Sequence, residues 1–207
     1  MSTISTTSHH HSQRPRPRHS APRSVETSSL REARLAVALD NGITQQAPRL
    51  AALVMGAVMR IVFVCTGNIC RSPYAEYLAR ELSASTDIEF ASAGIIARAG
   101  NPPSSDGVAV AAELGIDLTP HGASPLTSDL VARADIIYGM EDEHVEAVLE
   151  LDPQARVELL RPDARGIPDP YGEDRQAYLL VYGLIEEALR RRFEELNSER
   201  SSTADKP

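Results

Sequence analysis

A continuous apolar run, Ile61-Val62-Phe63-Val64, delivers a cysteine straight into the loop Thr66-Gly67-Asn68-Ile69-Cys70-Arg71-Ser72-Pro73, and helical spacing begins behind it. Such a run, bounded by a glycine-containing loop and then a helix, reads as a strand buried on both faces, the kind found in parallel sheets. Five residues separate Cys65 from Arg71, so the loop can curl with successive backbone N–H groups pointing inward. That concavity suits an anion. The helix opening at Pro73, taken here as a first helical position, adds its positive dipole end. The same field favours cysteine as the nucleophilic thiolate. Arg71 offers a planar fork matched to two phosphoryl oxygens. No Gly-Lys-Ser/Thr follows the glycine, which excludes a Walker-type nucleotide loop. The plainer alternative is a buried structural cysteine with a solvated arginine at a strand–helix turn.

The strand–helix rhythm continues through the chain. Spacing predicts strands over 60–64, 87–91, 135–138 and 157–160. Helices are predicted over 73–83, 105–114, from about 127, over 141–149 and over 174–196. The alternation implies an α/β fold, a three-layer αβα sandwich around a four-stranded parallel sheet of order 2-1-3-4. Ligands in such sheets bind at the carboxyl ends of the strands where the winding reverses, beside the first strand. The Cys65 loop sits there.

Residues 1 to about 48 are rich in Ser, Thr, Pro, Arg and His and lack sustained apolar periodicity, and the apolar stretch 50–59 that follows is only about ten residues long. Residues 1–58 read as a disordered extension with a short helix near 29–39, or as the product of a mis-assigned start ahead of Met55 or Met59. The folded domain is expected over 59–197, with a disordered tail at 198–207. The net charge of −8 divides unevenly: seven Arg against three acids before residue 59 give +4, leaving −12 for the remainder. A domain that acidic is a poor partner for nucleic acid. No apolar run reaches the roughly 18–20 residues that span a bilayer, so no membrane partner is expected. Two cysteines, both in the loop, fit a reducing cytoplasm rather than a disulfide framework. The protein is expected to be a monomer or weak dimer, with no cofactor and no metal.

The Cys65–Pro73 loop closely resembles the active-site signature of the low-molecular-weight protein-tyrosine phosphatase family, bacterial type. Ser92-Ala93-Gly94, the Gly-Asn-Pro at 100–102, Gly115-Ile116-Asp117 with His121, and Asp169-Pro170-Tyr171 follow in the family's order. The resemblance covers about 59–195. It implies a phosphotyrosine-containing protein substrate and a cysteinyl-phosphate intermediate.

A thiolate that expels a phenoxide needs a proton donor, and the second step needs an activated water; one carboxyl group can serve both. Asp169 is the candidate, in a loop stiffened by Pro168 and Pro170 and turned at Gly166. The resembled family carries its acid in this motif. Arg71 and the N–H groups of Thr66, Gly67, Asn68, Ile69, Cys70 and Arg71 clamp the phosphoryl group. Ser72 can donate to the Cys65 thiolate. By resemblance, Asn68, Ser72, Ser92 and His121 form a network supporting the loop. Asp163 and Asp174 read as solvated or capping, and His144, on a charged helix, as solvent-facing.

Cys70 has two readings, a small buried residue or a resolving thiol that captures oxidised Cys65. Ile69 and Tyr171 offer pocket surface for a phenyl ring. Relatives acting on phosphoarginine typically carry threonine at the Ile69 position, so isoleucine favours phosphotyrosine. Gly172 stands where many members have a second aromatic, and Ser124 replaces an arginine common near the histidine. The rival readings are an arsenate reductase of the same fold using a small-molecule thiol, and an inactive phosphate-binding module.

Overall fold

The computed structural model describes residues 58–204, apart from 84 and 163–165. The expectations for the N-terminal extension and for Asp163 lie outside those residues. Strand β1 (Met59–Cys65) is the sheet's pivot. It pairs in parallel with β2 (Ile88–Gly94) on one side and β3 (Ile136–Gly139) on the other, and β3 pairs with β4 (Val157–Leu159). The order is β2-β1-β3-β4, as the alternation of the sequence predicts.

Alternation along β1 feeds two cores. Ile61, Phe63 and Cys65 face a large cluster built with helices α1 (Arg71–Leu82), α2 (Ser105–Glu113) and the final helix. Val62 and Val64 face a smaller cluster with Val131 of α3 (Ser128–Arg133) and Val148 of α4 (Asp142–Leu151). A strand that buries both faces cannot alternate apolar with polar residues, hence the unbroken run in the sequence. Phe63 lies between Phe90 and Tyr138, ring centroids 6.3 and 6.1 Å away, so the β1 that carries the cysteine is clamped by its two neighbours.

Most boundaries shift by a residue or two from expectation, and three of the differences have a clear cause. Helix α1 begins at Arg71, which places Pro73 third in the helix rather than first. Proline is tolerated there because the N–H groups of a first turn have no intrahelical acceptor to lose. Strand β2 runs to Gly94, past polar Ser92, because its backbone keeps pairing with Phe63, Val64 and Cys65. The final helix α5 spans Arg175–Ala204 and takes in most of the tail expected to be disordered. Ion pairs one turn apart, Arg190 with Glu186 and Arg191 with Glu195, support its exposed face, and no Gly or Pro interrupts it between Gly183 and Pro207. Among the described residues, no helix is long and apolar enough to cross a membrane.

Candidate active site

Cys65 ends β1 and is 2% exposed. Its Sγ lies 3.0 Å from Ser72 Oγ and accepts the Asn68 N–H at 3.3 Å. Ser72 has one proton to give, with Cys65 Sγ and the Ala93 carbonyl at 3.3 Å as acceptors. A thiolate can only accept, so ionised Cys65 takes that proton. The tight reversal of the loop falls on Asn68, at φ 54°, and not on Gly67. Asparagine tolerates the left-handed region better than other side chains, particularly when its amide is fully engaged. Asn68 Nδ2 donates to Ser72 Oγ and Ser92 Oγ at 2.9 and 2.8 Å, and its Oδ1 accepts the Ser124 N–H at 2.7 Å. Its carbonyl meets His121 Nε2 at 2.9 Å. Ser92 in turn donates to Glu76 at 2.5 Å, a carboxylate buried on α1 and paired with Arg80. Ser124 anchors the loop through its backbone N–H, a contact that does not depend on its side chain.

Gly94 makes this closeness feasible. A Cβ there would sit 2.7–2.8 Å from Asn68 N, Gly67 C and Thr66 O. The stretch after it also docks on the loop, with Ile95 N donating to Cys65 O and Ile96 N to Thr66 O, each at 3.0 Å. Ile96 is 73% exposed at the rim, a surface residue the sequence reading passed over.

Arg71 is 1% exposed and holds the opposite flank together. Its Nη1 donates to Glu141 Oε2 at 2.5 Å and to the Ile167 carbonyl at 3.0 Å. Its Nη2 lies 2.7 Å from Asp169 Oδ2 and donates to Thr66 Oγ1 at 3.2 Å. Its buried Nε makes no hydrogen bond. Asp169 arrives on a loop whose entry requires glycine: Gly166 has φ 96°, and a Cβ on it would lie 2.2 Å from Met140 O. Ile167 N then donates to Met140 O at 2.6 Å, fastening the loop to the end of β3. Tyr171 stands outward at 63% exposed beside the acid, and Ile69 is half-buried against the larger core.

His144 corrects an expectation. It is fully buried, not solvent-facing. The acidic run Glu141-Asp142-Glu143 suggested a solvated face, but position 144 lies one turn before buried Val148, on the inner stripe of α4. Burial and the nearby Arg71 charge push its ring down from the ordinary 6.5, against the pull of Glu143, Glu141 and Asp169. Glu141 carried no clear signal in the sequence: the His144 ring accepts the Glu141 N–H at 2.9 Å, a reach-back from the first turn that the usual Ser/Thr-x-x-Glu/Gln pattern does not flag. Ligand atoms of Glu141, Glu143 and His144 lie within 4.8 Å of one another, but both ring nitrogens are already hydrogen-bonded within the protein.

Cys70 caps α1 and is 3% exposed. Its thiol donates to Ser104 Oγ at 3.3 Å and lies 3.5 Å from the Tyr178 hydroxyl. Burial pushes it up, so it remains protonated. Asp174 caps the final helix by accepting the Ala177 N–H at 3.0 Å.

Residues 60–202 match the family described as low molecular weight phosphotyrosine protein phosphatase. The chain is 35% identical over 132 residues to the low molecular weight protein-tyrosine-phosphatase Etp of Escherichia coli K12, covering 62% of this chain and 88% of that protein. Among solved structures, the tyrosine phosphatase AmsI of Erwinia amylovora superposes with a TM-score of 0.62 at 34% identity, covering 67% of this chain and 93% of that one. The YwlE arginine phosphatase of Geobacillus stearothermophilus superposes at 0.64 with 30% identity, covering 70% and 96%.

Proposed function

Since the chain belongs to the low molecular weight phosphotyrosine protein phosphatase family, we propose that it hydrolyses phosphotyrosine in a protein substrate through a phosphocysteine on Cys65. The observation that carries this reading is the reach of Arg71 and Ser72. Arg71 bonds Asp169 at 2.7 Å and the next residue, Ser72, lies 3.0 Å from the Cys65 sulfur, so two adjacent residues at one helix start hold the acid and the nucleophile.

The Cys65 thiolate attacks phosphorus, forming the S–P bond as the P–O bond to the tyrosine ring breaks. Ser72 releases the thiolate by reorienting its proton, and Arg71 with the loop N–H groups takes up charge on the phosphoryl oxygens. Asp169 in its acid form protonates the departing phenolate oxygen. It then removes a proton from water, whose oxygen attacks phosphorus, and the S–P bond breaks to return the thiolate and inorganic phosphate. A carboxylate paired with Arg71 cannot be the acid. Substrate must therefore take Asp169's place on the guanidinium, which frees Asp169 to hold a proton. The unbonded Arg71 Nε is a further donor for the incoming oxygens.

Thr66, Gly67, Asn68, Ile69, Cys70, Arg71 and Ser72 make the phosphate loop in this reading, Ser92 and His121 support it, and Ile69 and Tyr171 contact the phenyl ring. Cys70 as a resolving thiol remains a proposal within it. The reaction is assigned to the reducing cytoplasm, where two free thiols survive, and to a monomer or weak dimer.

Turnover of a phosphotyrosine peptide tests the reading. Asp169→Asn should lower kcat about 10²–10⁴-fold, and less with p-nitrophenyl phosphate, whose leaving group needs little protonation. Cys65→Ser should bind phosphate without turnover. Wild type that leaves the peptide intact defeats the reading. Thiol-dependent arsenate reduction would point to the reductase, and faster turnover of a phosphoarginine peptide would shift the substrate.

A further inference from the structure

His144 has no part in the chemistry above, yet it is among the most completely enclosed polar side chains in the domain and touches two of the four residues bonded to Arg71, Thr66 and Glu141. Its Nδ1 accepts the backbone N–H of Glu141 at 2.9 Å, so the ring proton resides on Nε2. That nitrogen lies 3.0 Å from Thr66 Oγ1. The threonine hydroxyl is then fully used: it accepts from His144 Nε2 and from Arg71 Nη2 at 3.2 Å, and donates to Glu143 Oε1 at 3.4 Å. Glu141, whose backbone the same ring holds, accepts from Arg71 Nη1. The ring can pack this closely to the sheet because β3 ends in Gly139, where a Cβ would lie 3.3 Å from His144 Cβ and 3.0 Å from Val145 Cγ2.

We infer that His144 is a positioning residue for Arg71: one ring nitrogen fixes the helix start that carries Glu141, the other fixes the Thr66 hydroxyl, and together these set the plane of the guanidinium. The inference rests on the phosphatase reading. It gives the imidazole a role that needs one acceptor and one donor, two bonds apart. A protonated ring offers two donors and would set Nδ1–H against the Glu141 N–H. The charged and titratable groups facing the ring are Arg71 from α1, Glu141 and Glu143 from the start of α4, and Asp169 from the loop after β4. Thr66 is its uncharged neighbour.

Glutamine separates the two roles, because its amide also has an acceptor and a donor two bonds apart. Glutamate keeps the acceptor for the Glu141 N–H but has no donor for Thr66, and leucine has neither. With p-nitrophenyl phosphate at fixed pH, His144→Leu and His144→Glu should lose about a hundredfold in kcat/KM, the scale of a misplaced catalytic group. His144→Gln should stay within a few-fold of wild type. Phosphate, as a competitive inhibitor, should weaken in the same order. Wild type should also lose kcat/KM as pH falls through the His144 ionisation, a step missing from the glutamine variant. Thr66→Val supplies a second route should a His144 variant fail to fold. It should reproduce the leucine loss, and the double variant should be no worse than either single one. Folded His144→Leu and His144→Glu with wild-type kcat/KM and phosphate inhibition would overturn the inference, as would additive losses in the double variant. Wild type without any turnover would instead strike at the phosphatase reading itself.

Discussion

The cysteine loop is held from two sides by interactions of opposite character. On the β2 flank, Asn68, Ser72, Ser92 and the Ser124 backbone form a hydrogen-bonded web that is almost entirely neutral and buried, ending in the enclosed carboxylate of Glu76. On the β3 flank, Arg71 faces Glu141 and Asp169, whose side chains are 36% and 41% exposed. The difference follows from what each flank has to do. A loop that presents its N–H groups to phosphate must keep one shape, and buried, mutually satisfied hydrogen bonds supply that rigidity. In the proposed mechanism the ionic flank must exchange partners, since a phosphoryl group arriving at Arg71 would replace Asp169. The half-exposed carboxylate can leave at little cost, provided that phosphoryl oxygens replace it on the buried guanidinium.

The largest effect is expected where the two flanks meet. Arg71→Lys keeps a positive charge but cannot bond Glu141, Ile167 O, Thr66 and Asp169 from one planar group. The kcat/KM for p-nitrophenyl phosphate should fall about 10²–10³-fold, the scale of a lost transition-state donor. A loss below tenfold would mean that charge alone suffices, and the contrast between the flanks would shrink to one of burial.

Next come the two glycines, one on each flank. Gly94→Ala drives a Cβ into the backbone of Thr66, Gly67 and Asn68. It should destabilise the fold by about 1–3 kcal/mol and raise the phosphate inhibition constant together with KM. Gly166→Ala meets Met140 O and a positive φ at once, so it displaces the Asp169 loop. Its kcat should fall further with phenyl phosphate than with p-nitrophenyl phosphate, while phosphate inhibition holds. Identical kinetic patterns for the two variants would dissolve the division of labour. On the neutral flank alone, Ser92→Ala removes the acceptor for Asn68 Nδ2 and leaves buried Glu76 Oε2 without its donor. A loss of about 1–3 kcal/mol in urea unfolding is expected, with the unfolding slope unchanged.

Much of this could be read from the chain. The unbroken apolar run before Cys65 marked the central strand, and the βαβ rhythm gave the order of the sheet. Cys65 and Arg71 stood out because their residue types and spacing suit one reaction, and Asp169 because its Asp-Pro-Tyr motif resembles the family's acid loop. What stayed hidden was whatever depends on through-space closure. Glu76 and Ser92 are 16 residues apart and Arg71 and Glu141 are 70, and each pair meets only when β1, β2 and β3 stand side by side. His144 was misread because three acids before it suggested a solvated face, although its spacing from Val148 marked it as inward. Pro73 was placed two positions too early in its helix because the loop was expected to extend past Arg71.

The smallest predicted effect concerns His144 and the pH dependence of stability. Its ring is held below the ordinary 6.5 by burial and by Arg71, so the folded protein binds this proton less readily than the unfolded chain. Between the lowered folded value and 6.5 the unfolded state carries more of the proton, and stability therefore rises with pH across that window. Above 6.5 both states are neutral at this site and the contribution is constant. As pH falls through the window it is progressively lost. One proton limits the slope to about 1.4 kcal/mol per pH unit. Urea unfolding of wild type and His144→Gln from pH 7.5 downward should diverge only below 6.5, with wild type losing stability faster. Parallel curves would mean that the ring accepts its proton in place, and a neutral His144 would then be no part of what distinguishes the ionic flank from the neutral one.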